Sequence, residues 1–124
     1  MATTILLEAM ARYRRSALAR EMALQEEGER RHQAAWSVAR RSARLLREKF
    51  GATRLIVFGS LAQGAWFGPH SDIDLAAEGI PAEAFWRAWC ALDRPDLTVD
   101  IDLTAIESPP ERLRDEIRHH GVAR

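Results

Sequence analysis

Two short apolar segments, each with polar groups at one end, constrain the fold of this chain most strongly. Residues 53–58 are β-branched and aromatic, and they predict a buried strand that ends in the turn Gly59-Ser60. A second predicted strand begins at Asp72 and also carries Asp74. Side chains two residues apart on a strand point to the same face. The two carboxylates therefore share a face, and we expect them near a turn rich in backbone N–H groups.

The segment after the second strand predicts a helix over residues 82–92. Pro81 suits the first position of a helix, because its fixed φ matches the helix and its missing N–H needs no acceptor there. The only cysteine, Cys90, excludes an internal disulfide and is expected to be a buried apolar group. The apolar side chains expected on the buried face are Phe85, Trp86, Trp89 and Leu92.

The C-terminal part predicts one more strand and one more helix. Residues 97–103 alternate apolar and polar side chains, which predicts a third strand with Asp100 and Asp102 on its solvated face. A last helix follows two prolines and runs to about His120. This order of elements predicts an α/β (α+β) fold with a small mixed sheet of three to four strands and flanking helices.

The N-terminal part has the composition of helix. Residues 4–49 contain no proline and one glycine, Gly28, around which the apolar stripe disappears. Residues 1–50 therefore form either two helices or one long helix, an N-terminal helical extension preceding a domain over residues 51–124. We expect its apolar face to lie against that domain or a second copy of the chain. The apolar stripe comprises Leu6, Met10, Tyr13 and Ala17, then Ala35, Ala39, Ala43, Leu46 and Phe50.

The net charge of zero hides an asymmetry between the two parts. Residues 1–50 hold eleven Arg and Lys against six Glu, and residues 51–124 hold seven Arg against twelve Asp and Glu. The basic part is either a solvated face or a contact for a protein partner, with nucleic acid a less favoured partner. No apolar run approaches the ~20 residues of a membrane span. We therefore expect a cytoplasmic protein that does not bind a membrane.

The residue types around the turn point to phosphoryl or nucleotidyl transfer. Such reactions need one or two Mg²⁺ ions, which prefer carboxylate and phosphate oxygens. Asp72 and Asp74 supply two carboxylates, and either Asp100 or Asp102 supplies a third. The N–H groups around Ser60 are suited to bind phosphate oxygens. Next along the chain, Gln63 and Gly64 are expected to line a nucleotide pocket through their backbone.

The motifs together resemble the nucleotidyltransferase superfamily, and specifically its minimal branch. The resemblance covers about residues 52–122 and rests on Val-Phe-Gly-Ser at 57–60, Ser-Asp-Ile-Asp-Leu at 71–75 and Val-Asp-Ile at 99–101. Eleven residues separate Ser60 from Asp72, one more than is usual in the family.

The resemblance implies roles for these residues. Gly59 and Ser60 match the turn that grips phosphate, and Asp72 and Asp74 match two metal-binding catalytic carboxylates. Asp100 matches the third, because it follows Val as in the family, although Asp102 keeps this assignment open.

The resemblance also implies an activity. It is the Mg²⁺-dependent transfer of a nucleoside monophosphate from an NTP, expected to be ATP, to a hydroxyl acceptor. In the minimal branch the acceptor is often a small helical toxin of the HEPN type, for which the enzyme is the antitoxin. The basic helices of residues 1–50 would then dock this partner or drive homo-oligomerisation. The alternative is a non-catalytic module with the same fold that acts by holding a partner or sensing a nucleotide.

Overall fold

The chain folds as a four-stranded sheet with helices, according to a computed structural model that describes residues 2–64, 67–68, 70–92 and 99–124. The elements in chain order are α1 (Ala2–Phe50), β1 (Arg54–Phe58), α2 (Gly59–Ala62), β2 (Ile73–Glu78), α3 (Ala82–Leu92), β3 (Ile101–Ala105), α4 (Glu111–His120) and β4 (Val122–Ala123).

The strands form one mixed sheet in the order β3-β2-β1-β4. β1 runs antiparallel to both β2 and β4, whereas β2 and β3 are parallel and are connected through α3. The predicted α/β class and the small mixed sheet are confirmed. β4 was not predicted as a strand, because its two residues give no local alternation and are held by pairing with Ile56 and Val57 of β1.

The two faces of the sheet bury different sets of side chains. On one face, the apolar stripe of α1 between Ala35 and Leu46 and the inner side of α3 pack against alternate strand residues. This larger core includes Leu55, Leu75 and Leu103. On the other face, a smaller core places Ile117 of α4 against Ile56, as well as against the other residues of that cluster. The predicted active-site carboxylates belong to this second face, because they alternate with the residues of the larger core.

α1 is a single continuous helix that passes through Gly28. A glycine in a helix interior costs only about 1 kcal/mol relative to alanine, which tertiary packing easily offsets. The chain divides into two compact units, Met1–Arg30 and Arg31–Arg124. In the second unit, Ala35, Ala39 and Leu46 are fully buried in the larger core. The predicted boundary between the helical extension and the domain, at residues 50 and 51, stays a prediction.

In the first unit, the side chains of the apolar stripe are exposed within the single chain, and the expected contact of this stripe with the domain or with a second copy of the chain stays a prediction. The exposed fractions of Leu6, Met10 and Tyr13 are 60%, 44% and 70%. No helix among the described residues is long and apolar enough to cross a membrane.

Three sequence expectations need correction. Trp86 is 70% exposed, because it lies about 100° around α3 from the stripe that faces the core. Cys90 is also exposed. The third strand begins at Ile101 rather than at residue 97 and extends to Ala105, so Asp100 precedes it; residues 97 and 98 lie outside the described part of the chain.

Candidate functional site

The turn after β1 fits tightly against a carboxylate of β2. Gly59 has φ +76°, in the left-handed region that favours glycine. A Cβ built on Gly59 would collide with Oδ2 of Asp74 and lie 3.1 Å from its Cγ. Glycine is therefore required twice here, for the backbone conformation and for the space that the carboxylate occupies. Ser60 follows in the first turn of α2 and is half-buried.

The sheet aligns the carboxylates of β2 and β3. Asp74 is paired with Phe58 on its antiparallel side and with Asp102 on its parallel side. Paired residues of neighbouring strands point to the same face, and their strands lie about 4.8 Å apart. Asp72 lies two residues before Asp74, just ahead of β2, and its negative charge acts on Asp74.

Asp100 lies directly before the first residue of β3. Its carbonyl accepts a hydrogen bond from the N–H of Ile73 at 2.9 Å, immediately before β3 begins. The residue in register with Asp74 is therefore Asp102, whereas Asp100 is next to the end of β2 where Asp72 lies. Asp100 and Asp102 are both exposed.

The local electrostatics make the ionised form of Asp74 unfavourable. Burial, together with the negative charges of Asp102, Glu116 and Asp72 in that order, raises the pKa of Asp74 from 3.8 to about 6. A half-buried carboxylate surrounded by three others is stabilised by a cation. The site thus favours binding of positive charge at neutral pH.

Glu116 of α4 is a site residue that the sequence did not reveal. Its Oε1 accepts a hydrogen bond at 3.1 Å from the side-chain amide of Gln63, which follows α2. Gln63 therefore connects the Gly59 turn to α4 through its side chain, and its backbone N–H donates to the Gly59 carbonyl at 3.1 Å. The apolar pair Leu113 and Ile117 marks the side of α4 that packs on the sheet, but no local motif marks Glu116 itself.

Replacing Glu116 with Gln is expected to lower the pKa of Asp74, because one of the three repelling charges is removed while a side-chain oxygen remains for Gln63. The pKa can be followed by NMR titration of the carboxyl carbons. Glu111→Gln, an exposed change on the same helix, is the matched control and should leave the titration of Asp74 where it is. An unchanged titration in Glu116→Gln would refute the placement of Glu116 beside the site.

The donor chemistry of the site suits a hard cation such as Mg²⁺, because the ionisable side chains that act on Asp74 are carboxylates. Within the described part of the chain, however, no three His, Cys, Asp or Glu side chains converge as metal ligands do. The crowding around Asp74 is the observation that fits a cation. Asp72, Asp74 and a carboxylate of the β3 region are the residues that would hold it.

No protein-family model and no curated protein matches the sequence. Solved structures do match its fold, among them crystal structures of toxin–antitoxin complexes. A chain of the MntA-HepT complex has a TM-score of 0.52 and 22% identity, over 71% of this chain and 69% of that one.

Two further structures of such complexes match at slightly higher identity. A chain of a toxin–antitoxin complex with AMP-PNP gives a TM-score of 0.54 and 27% identity, over 65% of this chain and 67% of that one. A chain of a mutant complex gives a TM-score of 0.55 and 27% identity, over 68% of this chain and 69% of that one. By its fold, this chain is similar to a chain of the MntA-HepT toxin–antitoxin complexes.

Proposed function

We propose that this protein is a nucleotidyltransferase that moves AMP from ATP to a hydroxyl group on a partner protein, and that the partner is a small helical toxin of the HEPN type. The observation that supports this most is the fit of the Gly59 turn against Asp74, with Asp102 in register beside it. The similarity to toxin–antitoxin complexes, one of which holds AMP-PNP, supports a protein partner and a nucleotide.

The proposed reaction assigns distinct tasks to the two sides of the site. Gly59 and Ser60 would position the phosphates through backbone N–H groups and the Ser60 hydroxyl, and Gly64 would line the nucleotide pocket beyond them. Asp72, Asp74 and a third carboxylate would hold Mg²⁺. The metal ion supplies charge neutralisation on the phosphates and alignment of the attacking oxygen. The acceptor hydroxyl attacks the α-phosphorus, its bond to pyrophosphate breaks, and the hydroxyl proton passes to a carboxylate or to water.

We propose Asp102 rather than Asp100 as the third carboxylate, because it is in register with Asp74 and contributes to raising the pKa of Asp74. Asp102→Asn is expected to slow transfer about a hundredfold or more, as loss of a metal-binding carboxylate does. Asp100→Asn is the matched change two residues away and should slow transfer less than about tenfold. Steady-state transfer rates of both variants identify the third carboxylate. A larger loss in Asp100→Asn than in Asp102→Asn would show that Asp100 is the third carboxylate.

The experiment that tests the activity compares two labels. ATP labelled at the α-phosphate or at the γ-phosphate is incubated with Mg²⁺, this protein and the product of the neighbouring gene. Nucleotidyl transfer predicts label on the partner protein only from α-labelled ATP. Label from γ-labelled ATP would instead indicate phosphoryl transfer and refute the proposal.

A non-catalytic module is the second candidate. It is favoured by one observation, that no three potential ligands converge on a metal position among the described residues. Under this alternative the protein binds its partner or a nucleotide without transfer, so stable complex formation without label on the partner would support it.

A further inference from the structure

Two arginine-lined grooves flank the β4 edge of the sheet. The first, the arginine groove, lies on the sheet face that carries Asp74, has a volume of about 530 Å³ and includes Arg54, Arg114 and Arg118. The second, the α1 groove, has a volume of about 350 Å³ and is lined by Arg40, Arg44, Arg47 and Arg124, with Ala43 and Glu48. Consecutive residues at the C-terminal end of the chain line the two grooves, Ala123 the first and Arg124 the second.

Each groove carries a net positive charge. The arginine groove is lined by three arginines and one glutamate, and the α1 groove by four arginines and one glutamate. The two glutamates are Glu107 and Glu48. One of those, Glu107, accepts a hydrogen bond at 2.7 Å from the N–H of Gly79, which stabilises its charge within the fold. The carboxylates of the proposed active site lie just before and within β2 and β3, on the strands farther from the β4 edge.

The guanidinium groups of the arginine groove are available for a ligand. Arg114 and Arg118 are one helical turn apart on α4, so their side chains are neighbours on the same wall. Both are exposed, and neither has a hydrogen bond or an ion pair within the described residues. Arg54 is 3.7 Å from Glu78, but its side chain is 57% exposed. Paired guanidinium groups of this kind bind carboxylates in a bidentate manner.

The remainder of the arginine groove is apolar. It includes Ile56, Ile106, Pro109, Ile117 and Ala123. Such a surface suits apolar side chains of a peptide, whereas binding to nucleic acid relies on phosphate contacts and on aromatic side chains that stack with bases. The aromatic ring near the second groove, Trp36, is already covered by Arg124, whose guanidinium lies 4.5 Å from the ring centroid. These features favour a protein ligand over RNA.

The position of the groove relates it to the proposed reaction. Arg54 begins β1 and Phe58, the neighbour of Asp74, ends it. Four residue steps along a strand span roughly 13 Å. A chain bound in the groove could therefore reach the carboxylates within about four extended residues.

We propose that the arginine groove is the docking site for an acidic, partly apolar segment of the acceptor protein, and that the segment leads the acceptor hydroxyl along this sheet face toward Asp74. The inference rests on the proposed function, because it assumes a protein acceptor. It adds the chemistry of the segment that is recognised and the residues that recognise it.

The test reverses the charge of the groove and measures binding and transfer separately. Arg114→Glu combined with Arg118→Glu is compared with Arg41→Glu combined with Arg87→Glu, a matched double reversal at exposed positions that line neither groove. The probe is the purified product of the neighbouring gene. Its affinity is measured by calorimetry at low and high salt, and transfer is measured with α-labelled ATP. Circular dichroism melts confirm that all variants fold.

The groove variant is expected to weaken acceptor binding at least about tenfold and to raise the acceptor KM by a similar factor, with the KM for ATP unchanged. Wild-type affinity should fall with salt, because the contacts are charged. The control pair should bind as the wild type does. Equal acceptor affinity in the groove variant and the wild type would overturn the proposal.

Other outcomes separate this inference from the proposed function. If the wild-type protein binds the acceptor through the groove but transfers no label, the proposed activity is wrong and the docking site stands. If it transfers label and the groove variant does so with the same acceptor KM, the docking site is wrong and the activity stands. Loss of binding to a labelled single-stranded RNA in the groove variant, with acceptor binding intact, would assign the groove to nucleic acid and overturn the proposal.

Discussion

Asp74→Asn is expected to abolish nucleotidyl transfer while the protein remains folded. Asp74 lies between the Gly59 turn and Asp102, so its carboxylate is the central member of the proposed metal site. Loss of such a group should reduce the rate about a thousandfold or more. The rate is measured with α-labelled ATP, Mg²⁺ and the acceptor protein. Rates within a few-fold of the wild type would refute the role of Asp74.

The same substitution is expected to stabilise the metal-free protein at neutral pH. The pKa of Asp74 is raised to about 6, so ionisation of this group is less favourable in the folded than in the unfolded state. Stability therefore falls as the pH rises from 3.8 through 6, and Asn should prevent this loss. After a discount for solvent screening of a half-exposed group, we expect a gain of about 1–2 kcal/mol above pH 6 and none below pH 4.

Urea unfolding with a chelator present, at pH 4 and at pH 8, measures this effect. Glu83→Gln at the exposed start of α3 is the control and should change stability little at either pH. A loss of stability in Asp74→Asn at pH 8 would contradict the account of crowded carboxylates. Combined with the loss of transfer, the expected gain shows that this position is selected for function at the expense of stability.

Gly59→Ala is expected to abolish transfer and also to destabilise the fold. The left-handed backbone conformation costs alanine about 1–2 kcal/mol. The added methyl group would also displace the carboxylate of Asp74, since it would overlap Oδ2. We therefore expect a loss of activity comparable to that of Asp74→Asn, measured by the same transfer assay, together with a lower midpoint of urea unfolding.

Gly51→Ala separates the two effects. Gly51 has φ +75°, nearly the same as Gly59, but a Cβ there would have no atom within 4 Å. This variant should show the backbone strain alone, with a similar loss of stability and with transfer rates near those of the wild type. If both variants lost activity equally, the contact between Gly59 and Asp74 would not be the cause.

The elements nearest the site were predictable because their signals are local. β1 and β2 have apolar sequences bounded by glycine or by polar residues, and α3 begins directly after Pro81, where a helix is expected. The turn at Gly59 was marked by the glycine itself. Because neighbouring strands bring their ends together, these segments were sufficient to place Asp74 near the turn.

The features that were missed depend on tertiary contacts. β4 is a two-residue strand that exists only through its pairing with β1. The exposure of Trp86 depends on which side of α3 meets β3, where the indole N–H of Trp89 donates to the Ile101 carbonyl at 3.1 Å. Glu116 is distant in sequence from the motifs and reaches the site because α4 packs on the sheet. Likewise, no local pattern decides the register of β2 and β3 that places Asp102 beside Asp74.

The most direct test of the central claim is the intact mass of the acceptor protein after incubation with ATP and Mg²⁺. With wild-type protein, we predict that the acceptor mass increases by one or more AMP units. With Asp74→Asn, we predict an unchanged mass, although the complex still forms. A stable wild-type complex in which the acceptor mass stays unchanged, or equal modification by Asp74→Asn, would contradict the proposal that this sheet face is a site of nucleotidyl transfer.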